Sequence, residues 1–441
     1  MTRVYLETFG CTLNKFDSDV MEAYLVENGY ELTEDISKSD IIVINTCGVK
    51  KQTEDKMVSY IRHLNSHYPD KRIILTGCLT LINKRRLVEE CKFDALLGPS
   101  AGKRIIDAVE SVLNGEFYEN LDSDGPDSSV RILGGVSKPI GVSTGCLDNC
   151  AFCGTRNARG LVKSMAPEKV VELARKYIES GVKEILLTST DMGAYGFDLR
   201  PRVPLPRLLK MLDELKGDFI IRIGMMNPRW AYMYLDELIE ILSESRHFYR
   251  FLHIPVQTGS SRLLKIMDRG HGVDEYLEVV KRVRKEIGEE FSIMTDIIVG
   301  HPGERDDDFA LTLEVLEESK PDFVNISQFF PRPGTKAALM KKVDTRIVKS
   351  RSREVSKLCD EILYARNLMW RGWKGPILIN DFGRGRFLGR NYAYKIVAVD
   401  GNIGLGSWVN VEILRAYTTW LYGEVLGRSS SLFESYVQSE A

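Results

Sequence analysis

The sequence contains no run of the roughly 18 to 20 uncharged apolar residues that a membrane-spanning helix needs, so no membrane association is expected. It carries almost no net charge, −2 over 441 residues, so any affinity for nucleic acid has to come from a local patch. The opening residues, Met1-Thr2-Arg3-Val4-Tyr5-Leu6, lack the charged head and apolar stretch of a signal peptide, and a cytoplasmic location is expected. Histidine is scarce, at six residues, and His63 and His67, at i, i+4 on one helix face, read as a solvated pair. Cysteine is scarce too: eight residues cannot build a disulfide framework in so long a chain. Six of the eight nevertheless fall into two sets of three, which directs attention to metal or redox chemistry. Cys91 and Cys359 stand alone in helical stretches and read as fillers.

The length implies two or three domains. Over residues 1–115 short apolar runs alternate with amphipathic stretches. Strands are predicted at Val4–Phe9, Ile41–Asn45, Ile73–Thr76 and Ala95–Leu97, with helices over Asp17–Asn28, Thr53–Ser66 and Asn83–Cys91. Ile41-Ile42-Val43-Ile44 is apolar on both faces, as in a helix-covered parallel sheet, so a doubly wound α/β domain is expected. Residues 116–138 are polar, without an apolar period, and read as a linker. Over 139–368 six strand candidates recur between helical stretches: Ile140–Ser143, Glu184–Thr188, Phe219–Gly224, Phe251–Val256, Met294–Val299 and Phe323–Phe329. Six βα units suit an open barrel with its chemistry at the carboxyl ends of the strands. Residues 369–427 change to short strands punctuated by glycine, which fits a small β-barrel, and 428–441 read as a polar tail.

Directly after the first barrel strand stands Gly145-Cys146-Leu147-Asp148-Asn149-Cys150-Ala151-Phe152-Cys153. Three thiolates at Cys-x3-Cys-x2-Cys spacing can hold three irons of a 4Fe-4S cluster, leaving the fourth iron without a local protein ligand. Zinc would want a further Cys or His, and Gly154–Gly160 offers neither. Cys11, Cys47 and Cys78 are far apart in sequence, but each follows an apolar strand, so a parallel sheet would bring them to one edge. Gly10, Gly48 and Gly77 beside them would admit a bulky group. On the residues alone these three also fit buried cysteines acting as small hydrophobes.

The loop at 145–153, with Phe152 as the aromatic residue before its third cysteine, resembles the radical S-adenosylmethionine superfamily. That resemblance implies S-adenosylmethionine chelated to the open iron of the cluster at Cys146, Cys150 and Cys153, and its cleavage to a 5′-deoxyadenosyl radical. Thr8-Phe9-Gly10-Cys11-Thr12-Leu13-Asn14, Asn45-Thr46-Cys47 and Thr76-Gly77-Cys78 resemble the amino-terminal domain of methylthiotransferases. There the matching cysteines hold an auxiliary 4Fe-4S cluster, which carries or supplies the sulfur.

Thr188–Gly196, Leu252–Gln257, Thr295–Gly300 and Phe330–Thr335 resemble the archaeal and eukaryotic threonylcarbamoyladenosine tRNA methylthiotransferases, with a departure at His301 and Arg305, where Phe and Thr are common. The resemblance implies methylthiolation of threonylcarbamoyladenosine at position 37 of tRNA, with the anticodon stem-loop and an electron donor as partners. Other readings are a methylthiotransferase for isopentenyladenosine or a ribosomal protein, and a non-catalytic iron–sulfur RNA-binding sensor.

Phe152, Thr190, Asp191, Arg222 and Gln257 are the candidate residues for the S-adenosylmethionine or substrate pocket. Arg222 and Arg332 are candidates for the threonylcarbamoyl carboxylate, or structural ion pairs. From Trp370 to Leu426 there are seven Lys or Arg and four Asp or Glu, a surplus of +3. Arg384, Arg386, Arg390 and Lys395 alternate there with Phe382, Phe387, Tyr392 and Tyr394, which suits single-stranded RNA or an ordinary solvated barrel face. Gly389–Lys395 and Gly404–Ile413 resemble a TRAM domain, an RNA-binding β-barrel.

Overall fold

The computed structural model describes residues 1–132 and 134–431, so most of the expected polar tail, residues 432–441, lies outside the described residues. Six parallel strands form the first sheet: β1 (Arg3–Thr8), β2 (Glu31–Leu32), β3 (Ile41–Thr46), β4 (Arg72–Gly77), β5 (Ala95–Leu97) and β6 (Tyr118–Asn120), in the order β2-β1-β3-β4-β5-β6. Every residue of β3 is buried because both its faces are covered. Ile41 and Val43 pack with Met21 and Leu25 on one side, and Ile42 and Ile44 with Met57 and Ile61 on the other. The sheet is doubly wound, as its two-faced apolar runs require. Its strand order reverses between β1 and β3, the place where such sheets bind ligands. Strand β6 falls inside the stretch read as linker; half exposed at the sheet edge, it pairs with β5 without needing an apolar face.

Six further parallel strands follow: β7 (Ser137–Gly141), β10 (Glu184–Thr188), β11 (Ile220–Arg222), β12 (Phe251–His253), β13 (Ser292–Val299) and β14 (Phe323–Gln328). They form two three-stranded sheets, β7-β10-β11 and β12-β13-β14, joined by a parallel bridge between Ile221 and Phe248. The result is a barrel whose outer strands are β7 and β14. A two-stranded antiparallel ribbon, β8 (Ser143–Thr144) with β9 (Lys163–Ser164), brackets the loop that carries Cys146, Cys150 and Cys153. The amino-terminal domain packs into this barrel: Phe16, from the helix Thr12–Glu27, shares its core with Ile140 and Val142. The contact is so close that a β-carbon on Gly141 would lie 2.4 Å from the Phe16 ring.

After the helix Thr345–Leu368, the strands β15 (Lys374–Gly383), β16 (Arg386–Arg390), β17 (Ile396–Val399), β18 (Trp408–Ala416) and β19 (Leu421–Arg428) close in the order β15-β16-β17-β19-β18. This small barrel docks on the amino ends of the central strands, where Ile220, Tyr249 and Phe251 join its core with Trp370, Ile377 and Tyr392. Lys395, read above as an RNA-facing cation, is instead buried in that joint. Its Nζ lies 2.8 Å from Asp322, and Arg366 and Arg284 approach the same carboxylate at 3.0 and 3.3 Å. Tyr392 is buried as well, and Tyr394 packs on Tyr249 and Phe251. The alternation of cations and aromatics therefore serves partly to dock the barrel, leaving Phe382 and Arg384 exposed at the β15–β16 turn.

Burial alone would raise the pKa of Asp322, yet Lys395, Arg366 and Arg284 hold it below the ordinary carboxylate range. Its stabilisation is therefore complete above the unfolded carboxylate pKa and is lost as pH falls through the lower folded value. Asp322→Ala leaves three cations without their counter-charge and is expected to cost about 3–5 kcal/mol. Urea unfolding followed by tryptophan fluorescence, which reports on Trp370 and Trp408 in the joint, measures that loss.

Candidate active site

Cys11, Cys47 and Cys78 stand just beyond β1, β3 and β4, which are adjacent and parallel, so three thiols meet at one sheet edge. The Sγ atoms of Cys11 and Cys78 each lie 3.9 Å from the same acceptor, Oδ1 of Asn14. A β-carbon on Gly10, where φ is +119°, would stand 2.8 Å from Cβ and 3.2 Å from Sγ of Cys47, so glycine is required for the approach. Asn14 is fixed by its own amide, which donates to Phe9 O at 2.9 Å and Thr46 O at 3.0 Å. Burial pushes the Cys47 and Cys78 thiols up, Cys78 to about 11, and the neighbouring thiols add to the rise. Three thiols gathered at one edge, with Cys47 and Cys78 buried and Cys11 exposed, offer the soft donors that an iron cluster matches.

The second set is shaped by its own loop. Gly145 has φ +75°, and a β-carbon there would fall 2.0 Å from the Leu161 carbonyl oxygen. Cys146 N donates to Gly160 O at 3.2 Å, and Cys153 N to Cys150 O at 3.0 Å, which closes the loop. Each sulfur meets an N–H donor: Asp148 N on Cys146 at 3.3 Å, Arg156 N on Cys153 at 3.3 Å and Arg269 Nη1 on Cys150 at 3.5 Å. Burial pushes all three thiols up, and at Cys146 the nearby Asp191 and Asp148 push further. Donors aimed at sulfur that also resists ionisation fit a set of cluster thiolates.

Asp148 and Asp191 bring carboxylate oxygens within 4.8 Å of Cys146 Sγ. Both are already engaged. Asp148 accepts from Asn227 Nδ2 at 2.5 Å and pairs with Arg229 at 2.6 Å. Asp191 accepts from Gly193 N, Asn227 N and Trp230 Nε1 at 3.1, 3.1 and 3.2 Å. Burial raises the Asp191 carboxyl to about 6.

A cavity of about 780 Å³ joins the two sets, with Cys11 and Val49 on one wall, Phe152 and Cys153 on another, and Gln257, Asp296 and Phe329 facing them. Of the candidate pocket residues, Phe152 and Gln257 line it. Asp191 instead touches Cys146, Thr190 keeps a buried Oγ1 without a partner, and Arg222 reaches Thr12 Oγ1 at 3.5 Å beside Cys11. None of these three is on the cavity wall. Arg332 is on it, ion-paired through Nη1 with the buried Glu54 and donating from Nε to Val49 O at 3.2 Å. Asp296 accepts from Asn325 at 2.7 Å and lies 3.1 Å from His253 Nε2; these partners hold its carboxyl low against the effect of burial. Sequence reasoning missed Arg159, Arg269 and Asn325, since no motif or spacing marks them, and it gave no role to Asn14, which closes the Thr8–Asn14 motif.

Residues 140–316 match the model of the Radical SAM superfamily, and residues 3–98 that of "Uncharacterized protein family UPF0004". Among solved structures, the radical S-adenosylmethionine methyltransferase TsrM of Kitasatospora setae aligns with a TM-score of 0.57 at 14% identity, over 77% of this chain and 74% of that one. An open six-stranded parallel barrel with this cysteine loop after its first strand defines a radical S-adenosylmethionine protein. Full-length relatives narrow the class. The probable threonylcarbamoyladenosine tRNA methylthiotransferase of Archaeoglobus fulgidus is 38% identical over 96% of this chain and 98% of its own length. That of Pyrococcus horikoshii is 37% identical over 97% and 100%, and the Homo sapiens enzyme 31% identical over 96% and 74%. The chain belongs to the threonylcarbamoyladenosine tRNA methylthiotransferase family.

Gly145→Ala sets a β-carbon against the Leu161 carbonyl and is expected to spoil this loop while leaving the sheet-edge set intact. Iron analysis after anaerobic reconstitution should then give about four irons per chain in place of about eight.

Proposed function

We propose that this chain adds a methylthio group to threonylcarbamoyladenosine at position 37 of tRNA, in the anticodon loop. In this reading Cys11, Cys47 and Cys78 hold one 4Fe-4S cluster, and Cys146, Cys150 and Cys153 the other. The observation that carries the proposal is a cavity that touches both sets, through Cys11 on one wall and Cys153 on another. When bound, the clusters and S-adenosylmethionine supply the electron, radical, sulfur and methyl chemistry. What the chain supplies is placement. Two walls from different domains hold a base where both cysteine sets can be reached, and the apolar surface of Phe152, Ile297, Ile298 and Phe329 excludes water. Gln257 is held by its backbone, in the left-handed region at φ +71° and donating to Asp296 O at 2.9 Å, which fixes the point on the cavity wall from which its side chain departs. Asp296, kept ionised by His253 and Asn325, offers a carboxylate acceptor there.

The threonylcarbamoyl substituent brings a carboxylate, a hydroxyl and a urea-like group, which need partners when buried, whereas isopentenyl needs only an apolar wall. Lys50, Lys51, Gln52, Asn325, Gln328 and Arg332 on the cavity wall suit the polar substituent. No helix among the described residues is long and apolar enough to cross a membrane. The cytoplasm is the proposed location and the anticodon stem-loop the proposed partner, with an electron donor that the clusters require.

Alanine at Cys146, Cys150 and Cys153 together is expected to leave about four irons and to abolish S-adenosylmethionine cleavage, while alanine at Cys11, Cys47 and Cys78 keeps cleavage and stops methylthiolation. Iron analysis, 5′-deoxyadenosine release and nucleoside mass spectrometry read the three quantities. Full iron loading in either variant overturns the two-cluster assignment. In single turnovers with matched tRNAs, threonylcarbamoyladenosine should react faster than isopentenyladenosine, because polar groups facing isopentenyl lose their partners. Phe382→Ala with Arg384→Ala should weaken tRNA binding and, if one phosphate contact is lost, flatten the slope of log affinity against log salt by roughly 0.7 to 0.9.

A further inference from the structure

The helix Gly154–Arg159 begins at one cysteine set and ends at the other. Cys153 caps its start, with its sulfur accepting from Arg156 N, and Arg159, its last residue, sends a 2% exposed side chain across the domain boundary. There Arg159 Nε donates to Cys78 Sγ at 3.3 Å. Nη2 donates to Asp17 at 2.7 Å and to Asn14 Oδ1 at 2.8 Å, the oxygen that Cys11 and Cys78 also face. Nη1 donates to Thr144 Oγ1 at 3.1 Å, beside the cysteine loop, and approaches Ser100 Oγ at 3.4 Å. One guanidinium thus ties together the first helix of the amino-terminal domain, its third cysteine and the root of the other cysteine loop.

Charge neutralisation alone does not explain this arrangement. Asp17 is 4% exposed and already balances the Arg159 charge, so the bond from Nε to sulfur is an additional, directed contact. The other set also meets a guanidinium, Arg269 Nη1 on Cys150 at the longer distance of 3.5 Å, but there Asp148 and Asp191 bring two carboxylates within 4.8 Å of Cys146, whereas among the described residues no carboxylate other than the Arg159 partner Asp17 is bonded into the sheet-edge contact. Hydrogen bonds to ligand sulfur and nearby charge are among the levers that set the potential of an iron–sulfur cluster. A cation donating to sulfur stabilises the reduced, more negative state, and carboxylates beside sulfur do the opposite.

We propose that Arg159 is a positioning residue that raises the reduction potential of the cluster at Cys11, Cys47 and Cys78, so that two similar three-thiolate sites hold their electrons at different potentials. This rests on the two-cluster reading above. The side chain reaches the sheet edge from a helix built on the other cysteine loop, so the tuning of one site depends on the correct folding of the loop that forms the other.

The test is an anaerobic redox titration of the full-length reconstituted protein followed by electron paramagnetic resonance, with and without S-adenosylmethionine. The wave that does not respond to S-adenosylmethionine reports the cluster at the sheet edge. In Arg159→Met that wave should move to lower potential, so that its reduced-to-oxidised ratio at a fixed potential falls about tenfold, equal to about 59 mV for one electron. The responsive wave should stay in place. Arg159→Lys keeps the charge without the planar fork and should move the same wave in the same direction by less. An unmoved wave in a fully loaded Arg159→Met protein, or an equal shift of both waves, overturns the proposal. Should Arg159→Met fail to load the sheet-edge site, the fully loaded Arg159→Lys protein decides, and an unmoved wave there overturns it. A wild-type protein with about four irons and one wave would instead refute the two-cluster reading itself.

Discussion

Parallel strands direct all their carboxyl ends to one edge, and the arrangement of this chain follows from having two such sheets face each other. In the first, β1, β3 and β4 run side by side, so residues 11, 47 and 78 become neighbours although dozens of residues separate them. In the second, the loop after β7 and β8 and the ends of β12, β13 and β14 form the opposite wall. Packing Phe16 against Gly141 sets the spacing, because the helix that follows Cys11 leans directly on the first barrel strand. A cavity between two sheet edges is then unavoidable, and the cysteines line it because their loops have no other direction to take.

The elements with strong local chemistry were legible in the sequence. Runs apolar on both faces marked β3 and β4, glycines marked the turns that admit cysteine sulfur, three cysteines stood at strand ends where a parallel sheet gathers them, and the other three stood together in one loop. The small barrel was legible from its glycine-punctuated strands, although the use of its charges was not. Lys395 looks like any surface lysine until Asp322, 73 residues earlier in the chain, is placed 2.8 Å away. Arg159 is illegible for the same reason: its five contacts come from residues 14, 17, 78, 100 and 144, and a buried cation is defined by partners that only folding supplies. Thr190, Asp191 and Arg222 stand near strand ends as read, with Asp191 turned toward Cys146 and Arg222 toward Thr12 and none of the three on the wall of the cavity described above. Strand-end position gives the edge on which a side chain stands. It does not give the direction in which that side chain leaves the backbone.

Polar interiors recur at each domain joint. Glu54 takes Arg332 from the central barrel together with Arg86 and Asn83 from its own domain, and Asp322 takes Lys395, Arg366 and Arg284. Buried ion clusters of this kind add little stability over an apolar interface, but moving the parts they join apart would leave a buried charge unpaired, which penalises the displacement. That rigidity suits a site whose walls belong to different domains, where a shift of about 1 Å is costly to reactivity.

The small barrel sits across the amino ends of the central strands, whereas the cavity opens at their carboxyl ends. A six-residue strand such as β14 spans about 20 Å. An RNA held on the outside of the small barrel while one of its bases occupies the cavity must therefore bridge at least that length along the flank of the protein. A single nucleoside can occupy one place but not both. For a ligand that uses both places, the separation between them makes reach along the protein a requirement in addition to the chemistry of one base.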